Sequence, residues 1–134
     1  MQRLALDVGT VRTGIAIGAR VAREYGVLNT SDQLAAKIVQ IVHQEAIDEL
    51  IVGLPQRSNG GSGTATNQIN QLLDEIKDLC PDLFVATVDE AYSTKQAEIE
   101  LKELGLSVAE AKKRVDAYAA MLILEQYNLG SPVP

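Results

Sequence analysis

The run Leu50-Ile51-Val52-Gly53-Leu54 limits the possible folds of this 134-residue chain more than any other stretch. Its apolar residues are continuous rather than alternating, as expected of a strand buried on both faces of a parallel sheet. Pro55 and the glycines of Ser58–Gly63 end it at once. Parallel strands need long crossovers, and helical patterns stand on both sides of this run. Before it, Leu34, Ile38, Ile41 and Val42 share one helical face; after it, Ile69, Leu72, Leu73 and Ile76 do the same, and that pattern stops before Pro81. Leu83–Val88 reads as the next buried strand and ends in Asp89-Glu90.

The first third is different. Arg3–Asp7 and Thr13–Gly18 are apolar runs joined by a short glycine-bearing turn, a hairpin signature, and Glu24–Asn29 fits a third strand. Thr30-Ser31-Asp32 supplies N-cap candidates for the helix that follows. Near the end, Ser93-x-x-Gln96 and Ser107-x-x-Glu110 are capping boxes. The first opens a helix to about Leu104, stopped by Gly105, and the second a helix to about Asn128. Meandering strands followed by helical crossovers predict an α/β fold: one mixed sheet of about five strands flanked by helices. The expectation is a single domain over residues 1–130 with a short tail at 131–134.

Composition removes several classes. Hydrophobic residues make up 46% of the chain, too many for a disordered polymer. No uncharged apolar stretch reaches 18 residues, so no membrane helix is expected. The start has no basic segment leading into a hydrophobic one, and Cys80 has no partner for an internal disulfide; both point to the cytoplasm. Twelve basic against 18 acidic residues give a net charge of −6, which argues against broad adhesion to nucleic acid but not against a nuclease whose metal ions supply positive charge.

Ligands of open α/β sheets bind at the carboxyl ends of strands, which draws attention to acids placed there. Asp7 closes the first strand, where a bare charge would cost several kcal/mol and must be paired, hydrogen-bonded or metal-bound. A turn residue accepting N–H bonds from Val8–Thr10 explains it about equally well. Asp89-Glu90 repeats the pattern, with an acidic pair favouring the next helix start as the plainer reading. Asp116 is the most telling. From Val115 to Leu124 it is the sole charged residue, and Ala119, Ala120 and Ile123 share its face. The competing explanation is an ion pair with Arg12 or Arg114. Convergence of these acids would require divalent cations, and all-oxygen donors favour Mg²⁺ or Mn²⁺ over zinc. The lone His43 and lone Cys80 do not make a zinc site. Carboxylate-bound metals clamp the attacking and leaving oxygens in phosphodiester hydrolysis.

Leu6-Asp7-Val8-Gly9-Thr10-Val11-Arg12-Thr13-Gly14 resembles the opening D-x-G-x-x-R-x-G motif of the YqgF (RuvX) family, whose fold is RNase H-like. The resemblance continues through Ile51–Pro55, the glycine loop, Asp89-Glu90 with Ser93-Thr94, and Asp116-x-x-Ala119-Ala120-x-x-Ile123-Leu124-x-x-Tyr127. It implies that Asp7, Glu90 and Asp116 are metal-binding catalytic carboxylates, assisted by Asp89. It also implies endonucleolytic cleavage with Mg²⁺ or Mn²⁺, first in 5′-end trimming of the 16S ribosomal RNA precursor. Resolution of four-way DNA junctions is the alternative substrate, and a non-catalytic nucleic-acid- or protein-binding module the alternative function. Two departures stand out: Ala91 replaces the arginine usual after the Asp-Glu pair, and Gly18-Ala19-Arg20 replaces a usual acid after the second strand. Neither removes a metal ligand. For substrate binding the candidates are Arg12, the loop glycines Gly60 and Gly61, and Lys112-Lys113-Arg114, each with a plainer reading as an ion-pair partner, a flexible loop or a solvated helix start. Nucleic acid is the expected partner, with the protein a monomer or weak homodimer. Sugar-kinase and actin-like ATPase loops also begin Asp-x-Gly-Thr, but they need two domains, more than 134 residues hold.

Overall fold

The computed structural model describes residues 1–55, 63–90 and 93–130. Five strands and four helices follow in chain order: β1 (Arg3–Val8), β2 (Arg12–Gly18), β3 (Arg23–Asn29), α1 (Leu34–Gln44), β4 (Glu49–Pro55), α2 (Gly63–Leu79), β5 (Phe84–Glu90), α3 (Ser93–Glu103) and α4 (Val108–Gly130). They form one mixed sheet in the order β3-β2-β1-β4-β5. β1, β2 and β3 pair antiparallel, whereas β1, β4 and β5 run parallel, as the continuous apolar run of β4 requires.

β1 is the central strand, and Leu4, Ala5 and Leu6 are fully buried. Strand alternation sends large residues of β1 and β2 to one face and their alanines to the other. Leu4, Leu6, Ile15, Ile17, Leu50 and Val52 pack with α1 and α2 residues such as Ile38, Val42, Ile69 and Ile76. Each such side chain contributes about 1.5–3 kcal/mol on burial. The opposite face offers Ala5, Ala16 and Ile51 to Ala120, Ile123 and Leu124 of α4. Small side chains there bring α4 close to the sheet. α3 packs against α4, burying Ala97 and Leu101. Among the described residues, no helix is long and apolar enough to cross a membrane.

Several local expectations are met. Ser107 and Glu110 form the reciprocal capping box: the Ser107 N–H donates to Glu110 Oε1 at 3.0 Å, and the Glu110 N–H to Ser107 Oγ at 3.2 Å. Gly105 takes the left-handed backbone (φ +82°) that stops α3. The start of α1 differs from expectation. Gln33 occupies its N-cap without a side-chain bond, and Thr30 instead ties down the β1–β2 turn. The tail 131–134 lies outside the described residues.

Candidate active site

Three parallel strands end side by side, at Asp7-Val8, Leu54-Pro55 and Asp89-Glu90. Asp7 has the strand phase of Ala5, which packs toward α4. Its cross-strand partner is Gly14. A Cβ on Gly14 would overlap the carbonyl of Asp116, so glycine at this position lets α4 lie directly on β2. The Asp116 backbone thus lies directly over the strand partner of Asp7. Ala119, Ala120 and Ile123, which share the helix face of Asp116, are fully buried, as the apolar pattern predicts.

Arg12 Nε donates to Asp116 Oδ2 at 2.9 Å, so of the two arginines that sequence offers, the one in the turn is the partner. Arg114 instead forks onto Glu24 of β3, with Nε at 3.2 Å from Oε1 and Nη2 at 2.6 Å from Oε2. That hydrogen bonding raises the already high pKa of its guanidinium. Arg114 is therefore an anchor between α4 and β3, while Lys112 and Lys113 are exposed. Helical spacing separates the basic triplet: Lys112 lies one turn before Asp116 and beside the same groove. This groove, ≈ 630 Å³, runs between α3 and α4, with Arg12, Lys112 and Asp116 among its polar lining and Leu106, Val108 and Val115 among the apolar.

The turn carrying Arg12 is held from several directions. The Gly9 N–H donates to the Arg12 carbonyl at 2.9 Å, and a Cβ on Gly9 would come within 2.6 Å of that oxygen. The Thr30 N–H donates to Val11 O, and its hydroxyl to Gly9 O, both at 2.8 Å. The fully buried Thr13 shares a 2.8 Å hydrogen bond with Thr30. Sequence reasoning missed this clamp. Its signal was a hydroxyl in an otherwise apolar β2, which must find a partner when buried.

Alternation divides the acidic pair of β5. Glu90 pairs with Pro55 and has the phase of Ala86 and Val88, which pack in the α4 cluster; its side chain lies outside the described residues. Asp89 has the opposite phase, that of Val85, and its carbonyl accepts from Gln126 Nε2 at 3.3 Å. Gly60, Gly61, Ala91 and Tyr92 lie outside the described residues. Tyr118 is a packing residue: its hydroxyl donates to Glu100 of α3 at 2.7 Å. Burial first, and that bond second, push its pKa up to about 12.

Asp7 and Asp116 offer only oxygen donors, and Asp116 keeps 20% of its side-chain exposure. That suits Mg²⁺, which retains waters and takes one or two carboxylates plus substrate phosphates. Among the described residues, no three metal-ligating side chains converge.

A mixed sheet in the order β3-β2-β1-β4-β5, with helices on both faces, has the RNase H-like architecture. The RuvX family model, described as a Holliday junction resolvase, matches residues 1–128. A Maridesulfovibrio salexigens protein named "Putative pre-16S rRNA nuclease" is 33% identical over 132 residues, covering 95% of this chain and 97% of its own length. A Chloroflexus aurantiacus protein of the same name is 34% identical over 131 residues, covering 92% and 84%. Among solved structures, Thermus thermophilus RuvC in complex with a Holliday junction substrate superposes with a TM-score of 0.62 at 20% identity, covering 98% and 97%. The fowlpox virus Holliday junction resolvase gives 0.62 at 11% identity, covering 96% and 99%. These two likenesses establish the fold. The chain belongs to the RuvX (YqgF) family, and with it to the hydrolases that cut nucleic acid.

Proposed function

We propose that this chain is a divalent-metal-dependent endonuclease acting in the cytoplasm on the precursor of 16S ribosomal RNA, as a monomer or weak homodimer. Residues 1–130 form its nuclease domain. Asp7, Glu90 and Asp116 hold Mg²⁺ or Mn²⁺, with Asp89, on the other strand phase, assisting from outside the trio. The observation that carries the reading is the packing of Asp116 onto Gly14, the strand partner of Asp7. It supports the reading because the backbone of a residue more than 100 positions away is seated on the strand partner of Asp7, at the expense of any side chain at position 14.

A bound divalent cation supplies Lewis-acid stabilisation of charge on the phosphodiester and lowers the pKa of the attacking water. The chain's own residues provide the rest. Asp7 and Asp116 fix the negative potential that selects a cation, and the Thr30 clamp holds the Arg12 turn beside them. Lys112 attracts the phosphate backbone along the groove, and Lys113 and the glycine loop with Gly60 and Gly61 are the further substrate-binding candidates. Arg114 acts indirectly by fixing α4 to β3. The names of the relatives favour ribosomal RNA, and the family description favours a DNA junction as the second reading.

A cleavage assay offering labelled 16S precursor RNA and a labelled four-way DNA junction side by side, in Mn²⁺ or EDTA, tests the reading. Metal-dependent cutting of the RNA alone, lost in Asp7→Asn, is expected. Cutting of the junction alone would replace the substrate, and failure to cut either would overturn the enzyme in favour of a binding module.

A further inference from the structure

The Arg12–Asp116 contact carries an inference that rests on the metal site proposed above. We infer that Arg12 is a displaceable counter-ion: it neutralises Asp116 while no cation is bound, and cation binding releases it to the substrate phosphate. Arg12 Nε occupies Asp116 Oδ2, an oxygen of a proposed metal ligand. An arginine on that oxygen and a cation at the same carboxylate compete for it.

The pair is built to exchange. The Arg12 side chain is 47% exposed and Asp116 20%, so water reaches both and separating them leaves neither charge stranded. The Arg12 main chain is fixed by the Gly9 bond and the adjoining Thr30 clamp, so release is a side-chain rotation and not a turn rearrangement. Arg12 and Asp116 both line the α3–α4 groove, with Lys112 on the same wall. A guanidinium leaving Asp116 therefore stays beside the path proposed for the phosphate backbone, where its planar fork suits phosphate oxygens. Metal and nucleic acid then bind with positive coupling, because the first releases a residue used by the second.

Calorimetric titration with Mn²⁺ alone tests the competition without reading activity. Arg12→Met should bind Mn²⁺ about three- to tenfold more tightly than the wild type, as expected for removal of a half-exposed competing ion pair. A merely structural Arg12 would give weaker binding on removal. Arg12→Gln is a second variant should methionine disturb the turn, and in either variant Mn²⁺ should raise the melting temperature more than in the wild type. RNA binding supplies the second half. In EDTA, wild type and Arg12→Met should bind a labelled RNA oligonucleotide alike; with saturating Ca²⁺ the variant should bind about three- to tenfold more weakly.

The failures are distinguishable. Loss of Mn²⁺ binding in Asp116→Asn, with unchanged or weaker binding in folded Arg12→Met and Arg12→Gln, overturns the inference and leaves the nuclease reading standing. No Asp116-dependent Mn²⁺ binding in any protein, wild type included, overturns both.

Discussion

The two halves of α4 use the same chemistry for different purposes. Near its C-terminus, Glu49 of β4 is only 3% exposed, and both its carboxylate oxygens are taken. Arg3 Nε donates to Oε1 and the Tyr127 hydroxyl to Oε2, each at 2.8 Å. Arg3 also lies over the Tyr127 ring, 5.4 Å from its centroid, and reaches Asn128 Oδ1 at 3.1 Å. In the N-terminal half, Asp116 meets Arg12 through Oδ2 in a pair still open to water. A buried carboxylate with both oxygens bonded is a structural pin. A partly exposed carboxylate on a residue seated over Gly14, the strand partner of Asp7, retains capacity for a ligand. The comparison shows that an Arg–carboxylate pair is assigned a role by its burial and position, not by its presence.

The strongest way to break this comparison is to neutralise each acid. Asp116→Asn keeps the size of the side chain and removes its charge, so cleavage should fall by roughly 10³-fold, equivalent to several kcal/mol of lost charge stabilisation. Its melting temperature should stay near wild type, because the pair it loses is half-exposed. Glu49→Ala should do the reverse. Breaking that buried pair should cost about 3 kcal/mol of stability, seen as a lower urea midpoint, while Mn²⁺ affinity holds. Equal damage to rate and stability from both substitutions would erase the distinction.

Alkaline pH should loosen the Glu49 pin through Tyr127. The hydrogen bond from Tyr127 to Glu49, then burial, raises the tyrosine pKa, since the neutral phenol is the form that donates. A folded-state pKa above the unfolded value means stability present below about pH 10 and lost as pH rises through the folded value. Tyr118 follows the same sign, its loss ending only near its pKa of about 12. Melting temperatures should therefore decline as pH rises above about 10, and Tyr127→Phe should flatten part of that decline while costing about 1 kcal/mol at neutral pH. An unchanged pH slope in Tyr127→Phe would show that the phenol does not pin α4.

Much of this was legible in sequence, for identifiable reasons. The continuous run of β4 is typical of a doubly covered parallel strand, and the apolar faces of α1, α2 and α4 followed from helical spacing. Asp116 stood out because a lone charge on an apolar helix face requires an explanation. What sequence left open depended on tertiary pairing. Arg12 and Arg114 were equal partners for Asp116 until the β1–β2 turn and the β3 edge gave each arginine a different acid. Thr30 looked like a helix cap because its role depends on a turn twenty residues earlier. Glu49 was only the first residue of a strand, since Arg3 and Tyr127 approach it from opposite ends of the chain. The separation of Asp89 from Glu90 is a matter of strand phase, and it needed the extent of β5, which runs two residues past the expected Val88.

The smallest expected effect lies at the first turn of α4, before either polar centre. The Ser107 N–H, followed by the Ser107 hydroxyl, lowers the pKa of Glu110 by favouring its charged form. That contribution is present above the ordinary carboxylate range and is lost as pH falls through the depressed value. Ser107→Ala removes the cap and should cost about 1 kcal/mol or less, measured as faster amide exchange at Glu110 and Ala111. Cleavage should stay within about twofold of wild type, because fraying falls off within one turn and Asp116 lies two turns further in, held at Gly14. A larger loss of cleavage would sharpen the comparison differently. It would mean that the helix start and the neighbouring Lys112 are coupled to the acid, so that the functional end of α4 begins at its cap.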